Sequence, residues 1–212
     1  IKTYRATQIK AQKPFIDTDY LKSLKLLRDY KISTIKTDKF ESAKIGTYKY
    51  PLVLKIIGPD FLHKSDKKAV VTNLKNETAL KAAVRDLAIK NKRALQNKQN
   101  YLIIQEQADH FQEIILGFKR DAAFGPIMMV GLGGIYTEIF KEIKLTTSDL
   151  DYKTALAAIK ELKIFPILNG ARGQKKYDIK GLAKALVNLS RLANEHPEVK
   201  ELDINPLFVF AD

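Results

Sequence analysis

The sequence predicts an α+β fold with room for two lobes. Apolar runs of strand length occur at residues 50–57, 101–107 and 111–120, and a glycine-rich hairpin follows the last of them. Amphipathic segments with helical spacing lie among these runs, the clearest at residues 179–196. Because strands and helices do not alternate regularly, the pattern favours α+β over a repeated strand–helix–strand arrangement.

Each element rests on a local pattern of apolar residues and on capping or turn residues. In chain order the prediction is a linker or arm over residues 1–18, a helix over 20–30, strands over 50–57 and 69–74, a helix that begins at Asn76 or Thr78, strands over 101–107 and 111–120, a hairpin over 127–140, a helix capped by Ser148 or Asp149, a basic loop over 167–176, a helix over 179–196 and a strand over 202–210.

Composition limits the classes of function. The chain has 212 residues, no cysteine and a net charge of +13. The lack of cysteine excludes disulfides, thiolate catalysis and Cys-based metal sites, and it favours a reducing compartment such as the cytoplasm. No apolar run is long enough to cross a bilayer. The positive charge suits nucleic acid, nucleotides or coenzyme A, but the lysines are scattered as on a solvated surface.

The hairpin sequence GLGG at residues 131–134 excludes two common phosphate motifs. No Lys-Ser/Thr pair opens a helix after the glycines, so the motif is not a P-loop. A strand follows it, so it is not a Rossmann fingerprint either. Glycines there allow positive φ and the close approach of a ligand to the backbone. Glu138 lies near the end of the hairpin.

Two basic groups are candidates for phosphate chemistry. Lys55 is the only charge in the apolar run 50–57, so it either meets an anionic phosphate or extends its ammonium from the strand end into water. His63 and Lys64 occupy the loop after that strand. An imidazole can accept a phosphoryl group and a neighbouring cation would stabilise the product, although a solvated loop histidine is the alternative.

Oxygen-bearing residues form two further candidate groups. The segment 105–108 follows an apolar strand, and its main-chain groups could contact an adenine edge while the nearby carboxylate of Glu113 holds ribose hydroxyls, although glutamates at strand edges are common. Asp203 and Asn205 are two residues apart before Pro206, so on an extended chain they share a face, as Mg²⁺ ligands or as part of an ordinary turn.

A glycine-bounded arginine is the last candidate. Arg172 lies in the sequence NGARG and could bind phosphate or carboxylate, or it could simply be solvated. His110 and His196 are interpreted as structural or exposed residues.

Taken in order, these motifs resemble the ATP-grasp domain of ADP-forming acyl-CoA (acetyl-CoA) synthetases, relatives of the succinyl-CoA synthetase β subunit. The matching segments are YPLVLKI, HKSD, YLIIQEQ, FGPIMMVGLGGIYTEIFKEI, NGARG and ELDINPL. They extend over roughly residues 21–210. The resemblance implies an ATP-grasp domain over residues 19–212, with nucleotide sandwiched between a smaller lobe at about 30–100 and a larger lobe at about 101–212.

The same resemblance implies roles for individual residues. Lys55 would contact the ATP phosphates, Glu106 and Ala108 the adenine, and Glu113 the ribose. Mg²⁺ would lie near Glu138 and Asn205. The expected catalytic residues are His63, which carries the phosphoryl group between distant sites, and Asp203; Lys64 and Arg172 complete the expected cofactor-binding set.

The resemblance also implies the reaction acid + CoA + ATP ⇌ acyl-CoA + ADP + phosphate, through acyl phosphate and phosphohistidine. The CoA-binding lobes are not in these residues, so CoA-binding domains or a separate subunit are expected partners, with no specific nucleic acid and no membrane. An alternative is a degenerate regulatory ATP-grasp module, for instance of a protein acetyltransferase.

Two departures from the family pattern are visible. Lys67-Lys68-Ala69 stands where the family carries glycines after the histidine loop, which motivates the regulatory alternative. The family commonly has another acidic metal ligand shortly after the final strand, and Asp212 is too early to match it.

Overall fold

The computed structural model describes residues 19–61, 69–134 and 142–211. Its helices and strands, in chain order, are α1 (Tyr20–Asp29), β1 (Thr37–Lys39), β2 (Leu52–Ile57), β3 (Val70–Leu74), α2 (Glu77–Lys90), β4 (Tyr101–Glu106), β5 (Phe111–Asp121), β6 (Gly125–Leu132), β7 (Ile143–Thr147), α3 (Tyr152–Lys160), α4 (Phe165–Leu168), α5 (Ile179–Glu195) and β8 (Glu201–Phe210). The predicted mixture of helices and antiparallel strands is confirmed.

The first sheet has the strand order β1-β4-β2-β3, with antiparallel neighbours. Helix α2 begins after Asn76, whose side chain accepts a hydrogen bond from the Ala79 amide as an N-cap. One face of the helix buries Leu80 and Leu87 against Leu54 and its strand neighbours. Alternate side chains of β2 therefore point away from this core.

The second sheet has the order β7-β6-β5-β8, again antiparallel. Helices α3 and α5 cover one of its faces. The buried core between them is formed by alternate strand residues and by the apolar stripe of α5. Its central members are Ile114, Leu116, Phe118, Met128, Val130, Ile159, Leu182, Leu186 and Leu189. The opposite face of the sheet carries the candidate site.

Helix α1 contacts both sheets. Near its start the Tyr20 hydroxyl accepts a hydrogen bond from Gln105 Nε2 on β4 at 3.3 Å. At its end Leu27 and Tyr30 join the core of the second sheet. The Tyr30 hydroxyl donates to Glu195 at 2.5 Å, and its ring meets the His196 ring edge-on at 5.6 Å. The helix is therefore a physical link between the two sheets.

The local structure differs from the sequence-based expectations at several points. Strand β4 (Tyr101–Glu106) pairs with β1 and β2, so it belongs to the first sheet although it lies beyond the expected smaller lobe at about 30–100. Asp151, and not Ser148 or Asp149, caps α3 because its carboxylate accepts from the Thr154 amide at 2.7 Å. Strands β1 and β7 were not predicted, and the hairpin's second half lies outside the described residues.

Within the described residues no helix combines the length and the apolar character that crossing a membrane requires.

Arg120 ties the end of β5 to the end of α5. Its Nε donates to the Val199 carbonyl at 2.9 Å, and its Nη2 donates to the carbonyls of His196, at 2.7 Å, and Ala193. The last carbonyls of a helix lack intrahelical donors and carry partial negative charge, so a guanidinium satisfies and stabilises them.

Arg120→Met should therefore lower the free energy of unfolding by about 2–3 kcal/mol, since it removes charge-assisted hydrogen bonds and leaves carbonyls without donors. Urea unfolding of the two proteins measures the difference. Arg191→Met is the matched control on α5, where an exposed pair with Glu195 is worth about 0.3–0.5 kcal/mol. Equal losses in the two variants would contradict the proposed role.

Candidate functional site

Lys55 is a half-buried cation without an anionic partner in the described part of the chain. It lies on β2 opposite Val70 of β3 and Ile103 of β4. It alternates with Leu54 and Ile56, so its side chain lies on the face away from α2. Burial lowers the pKa of its ammonium. No ion pair between described residues includes its Nζ, so an anion from outside would be stabilised here.

The segment after β4 leaves main-chain groups available. The Glu106 amide donates to the Lys36 carbonyl at 3.3 Å, and the Gln107 amide donates to the Pro51 carbonyl at 3.0 Å. The Glu106 carboxylate accepts a hydrogen bond from the Lys49 amide, and this contact fixes the Glu106 side chain. Among the backbone hydrogen bonds of the described residues none uses Ala108. An exposed amide and carbonyl at a strand end can recognise the edge of a base.

Glu113 contacts the glycine hairpin through both its backbone and its carboxylate. The Gly133 amide donates to the Glu113 carbonyl at 2.9 Å. Gly134 has φ +68°, and a Cβ at this position would overlap Oε2 of Glu113. The carboxylate therefore lies directly over the Gly134 backbone, which is possible only because residue 134 has no side chain. This contact explains why the hairpin needs its last glycine.

β8 changes register at the predicted metal residue. Ile114 pairs with Leu207 and Leu116 pairs with Ile204. A spacing of two residues on β5 therefore matches a spacing of three residues on β8. The extra residue on β8 falls at Asn205-Pro206. A bulge of this kind re-aims a side chain at the edge of a site.

The Asp203 side chain packs against the backbone of Gly117 in the neighbouring strand β5. It pairs with Gly117 of β5, and a Cβ on residue 117 would overlap its Oδ1. Although the side chain keeps contact with solvent, partial burial raises the pKa of the carboxyl. Glu201 raises it further and Lys119 opposes the change. A cation beside this carboxylate would favour its ionised form.

An open pocket continues from Asp203 on the side away from Glu113. It has a volume of about 380 Å³, with apolar walls from Ile127, Met129 and Leu145. Leu145 is 56% exposed, which is high for an apolar strand residue. The face of the second sheet thus runs from Glu113, past Asp203, into an apolar hollow.

The donor chemistry of this face suits a hard divalent cation. Asp203 and Asn205 supply oxygen atoms, which Mg²⁺ prefers. The described residues alone do not complete a metal centre, since no group of three or more His, Cys, Asp or Glu side chains among them could hold an ion. Glu138, the other predicted metal ligand, lies outside the described residues, as do His63 and Lys64.

Arg172 is exposed in a tight turn after α4. It has φ +57° between Gly170 and Gly173, both also at positive φ. No ion pair between described residues includes its guanidinium. The loop returns to the sheet through Tyr177, which bridges to Ala211.

Gly117 is not identified from the sequence as essential to the geometry, nor is Glu113 as the partner of Gly134. Gly117 interrupts the apolar strand FQEIILGFKR, and an isolated glycine in a strand often marks a close approach by another chain segment. That signal was available. The partner of Gly134 was not, because Glu113 reaches it only through the pairing of β5 with β6.

Comparison with known proteins gives the chain a set of relatives. The profile of a family described as an ATP-grasp domain matches residues 18–212. The beta subunit of ADP-forming acetate–CoA ligase I from Pyrococcus furiosus is 36% identical over 213 residues, covering 94% of this chain and 88% of that subunit. ADP-forming acetate–CoA ligase I of Archaeoglobus fulgidus is 37% identical over 161 residues, covering 76% of this chain but 24% of that protein.

Solved structures of acetyl-coenzyme A synthetase 1 from Ca. Korarchaeum cryptofilum share the fold. A complex with coenzyme A and Ca-AMPCP has a TM-score of 0.81 at 31% identity, covering 89% of this chain and 85% of that chain. A second complex, with Mg-AMPPCP and a phosphohistidine segment pointing towards the nucleotide binding site, has a TM-score of 0.75 at 32% identity, covering 87% and 82%. The predicted ATP-grasp fold is confirmed.

Lys55→Met should raise the free energy of unfolding of the ligand-free protein at pH 7, because burial penalises the ammonium in the folded state. A lysine with a lowered folded pKa costs stability fully below that pKa, and the cost disappears as the pH rises towards the ordinary value of 10.5. Urea unfolding between pH 7 and pH 10 tests both the sign and the trend. Lys119→Met is the control, because its side chain is 75% exposed and carries no comparable burial penalty. If Lys55→Met does not raise the free energy of unfolding relative to Lys119→Met, the argument is contradicted.

Proposed function

The chain belongs to the ATP-grasp domain family, and from this premise we propose that it is the ATP-binding and phosphoryl-transfer part of an ADP-forming acyl-CoA synthetase. The observation that carries the proposal is Lys55, a half-buried ammonium that meets no anion among the described residues. The named relatives in two archaea, acetate–CoA ligases, support the reaction class.

The nucleotide would bind between the two sheets. Lys55 of the first sheet would contact its phosphates, and the main chain at Glu106 and Ala108 would contact the adenine edge. Glu113 of the second sheet would accept hydrogen bonds from the ribose hydroxyls. In this pose the phosphates extend along the second sheet towards Asp203. The register supports the order, since Glu113 and Gly117 are four residues apart on β5 and Asp203 faces Gly117.

Asn205 and Glu138 would hold Mg²⁺, with Asp203 beside it. The ion would neutralise charge on the transferring phosphoryl group, since catalysis of such transfer depends on positioning and electrostatics. Asp203 and Asn205 supply the oxygen donors among the described residues, and their fixed strand positions orient them. The solved Korarchaeum complex with Mg-AMPPCP supports the choice of metal.

His63 would accept the phosphoryl group. A lone pair of one imidazole nitrogen forms the N–P bond while the bond from the γ-phosphorus to the β,γ-bridging oxygen breaks, and ADP leaves with that electron pair. The proton on the other ring nitrogen passes to water. Lys64 follows His63 in the chain, and its charge would stabilise the phosphorylated loop. The phosphohistidine then supplies the group that activates the acid, releasing phosphate when CoA attacks.

The acid and CoA would be bound by other protein parts. This chain spans most of a separate beta subunit in Pyrococcus furiosus and about a quarter of a longer single chain in Archaeoglobus fulgidus. We propose a CoA-binding partner either as a separate subunit or as fused domains. We propose that the enzyme works in the cytoplasm, where ATP and CoA are both supplied.

His63→Ala should abolish acyl-CoA formation in the complete enzyme while Mg-ATP binding is retained, because the substitution removes the acceptor but none of the groups proposed to hold nucleotide. Single-turnover labelling with γ-³²P-ATP should yield acid-labile, base-stable phosphohistidine only when His63 is present. His110→Asn is the control, since His110 is exposed at φ +56° and asparagine tolerates that conformation.

The regulatory alternative predicts a different result. A scaffold without catalysis would give no labelling of the wild-type enzyme, and calorimetry would detect no Mg-ATP binding. Acyl-CoA formation by His63→Ala at the wild-type rate would instead exclude the histidine as carrier while leaving ATP use intact.

Gly134→Ala should weaken Mg-ATP binding by about tenfold or more, because the new Cβ displaces the Glu113 carboxylate and a hydrogen bond to a charged group is lost. Calorimetry measures the Kd. The matched control is Gly125→Ala, at φ +70° but with open space around its Cβ, so it shares the backbone strain without the contact. The double variant with Glu113→Ala should bind no more weakly than Glu113→Ala alone; additive losses would show that Gly134 acts independently of Glu113.

A further inference from the structure

Three phenylalanines form a cluster at one end of the second sheet. Phe111 begins β5, and Phe208 and Phe210 lie near the end of β8. The rings of Phe111 and Phe208 are stacked, with their centroids 3.8 Å apart and an angle of 27° between their planes. Phe210 pairs with Phe111 across the strands and meets its ring edge-on at 6.2 Å. Phe210 is 46% exposed and the other two are half-buried, so solvent reaches the cluster.

The cluster lies on the face of the sheet that carries the candidate site. Phe111 and Glu113 are two residues apart on β5, so their side chains point to the same face. Phe208 pairs with Glu113 and therefore shares that face. The intervening residues Ile114 and Val209 belong to the core on the opposite side, beneath the helices. The phenylalanines thus extend the site face beyond Glu113, towards the start of β5.

One face of the Phe111 ring is left open by this packing. Phe208 and Phe210 both belong to β8, so they contact Phe111 from the β8 side of β5. On the other side, the described pairing of β5 with β6 begins only at Ile114. The Glu113 carboxylate lies over Gly134, which is also on the β6 side. The open ring face and this carboxylate therefore border the same space.

The order of the proposed nucleotide contacts brings the base to this ring. Ala108, whose main chain would contact the adenine edge, is three residues before Phe111, so the two Cα atoms lie within about 11 Å. On the strand, the Cα atoms of Phe111 and Glu113 are about 7 Å apart. The base is bonded directly to the ribose. A ribose at Glu113 with a base edge at Ala108 therefore places the base near Phe111.

We propose that Phe111, supported by Phe208, is a stacking platform for the base of the bound nucleotide, an inference that rests on the proposed function. The open ring face of Phe111 lies against the base while main-chain groups contact its edge. Phe208 is a positioning residue, because it fixes the plane of the Phe111 ring without touching the base. Every base has a π-face, so the platform supplies affinity, and the choice among bases is left to the edge contacts.

The platform is held in place before a ligand binds. The Phe210 carbonyl accepts a hydrogen bond from the Asp178 amide at 2.9 Å, and Ala211 bridges to Tyr177. Asp178 is the N-cap of α5, so the end of β8 is fixed to the start of that helix. A ring that is already ordered loses little freedom when the base binds, and less of the stacking energy is offset.

The test is calorimetry of the complete enzyme with two ligands, Mg-ATP and magnesium tripolyphosphate, which has the phosphates but no base. Phe111→Leu keeps the apolar bulk and removes the ring, so the Kd for Mg-ATP should rise about fivefold or more. The Kd for tripolyphosphate should stay within about twofold, because the ring is remote from the phosphates. Phe124→Leu is the matched control, since Phe124 is 76% exposed in the turn at the other end of β5.

A second variant restores the ring and adds a spectroscopic signal. This chain has no tryptophan, so Phe111→Trp introduces its single indole. The variant should bind Mg-ATP at least as tightly as the wild-type enzyme, because the indole offers a larger stacking surface. Mg-ATP should quench the added fluorescence and tripolyphosphate should not. In Phe124→Trp neither ligand should change it.

The combination of ligands and variants decides the proposal. A loss of affinity that is confined to Mg-ATP in Phe111→Leu and reversed in Phe111→Trp would support the platform. Wild-type affinity for Mg-ATP in Phe111→Leu would overturn it, and so would an equal loss for tripolyphosphate, which would assign the ring a structural role. Normal affinity with failed assembly of the enzyme would overturn it in favour of a subunit contact. Absence of Mg-ATP binding by the wild-type enzyme would instead refute the proposed function, and the platform with it.

Discussion

The contact of polar side chains with bare glycine backbone is the constraint on which the described site depends. At each of these positions a Cβ would overlap the side-chain oxygen that lies over the glycine. Two of these pairs belong to the candidate site, Glu113 with Gly134 and Asp203 with Gly117, and a third, Asn100 with Gly58, lies at the end of β2. Gly117 lies within β5, and neighbouring strands are only about 4.8 Å apart, so the Asp203 side chain can lie flat on β5 only because residue 117 has no side chain. The glycines thus set the positions of the oxygens.

The Lys55 ammonium is a partly desolvated cation of opposite charge to these carboxylates. The carboxylates of Glu113 and Asp203 lie on the second sheet, whereas the Lys55 ammonium lies on the first. Desolvation lowers the pKa of Lys55 and raises that of Asp203, so a ligand of opposite charge would favour the ionised form of each. The proposed magnesium nucleotide would supply an anion for the lysine and a cation for the carboxylate. Binding would then relieve two electrostatic penalties together, across the sheets that α1 connects.

Periodicity predicted the larger elements because burial follows it. The apolar stripe of α5 and the apolar run of β2 both correspond to buried residues in the structure. The same reasoning failed for β7, where Ile143 and Leu145 are exposed, so alternation there does not mark the core. Lys55 was recognisable as a lone charge in an apolar run. The Asp203–Gly117 contact was not, because it depends on pairing between strands more than 80 residues apart.

The charge of +13 does not by itself explain nucleotide binding. In the ion pairs of the described residues every lysine side chain is at least 43% exposed, and such pairs contribute at most about 1 kcal/mol. Charges exposed to water are screened within about 8 Å at physiological salt, so they can raise the rate of encounter with an anion but cannot fix its position. Lys55 differs because partial burial protects its field from screening. Its place in the sheet, and not the number of lysines, would therefore account for the phosphate binding proposed for it.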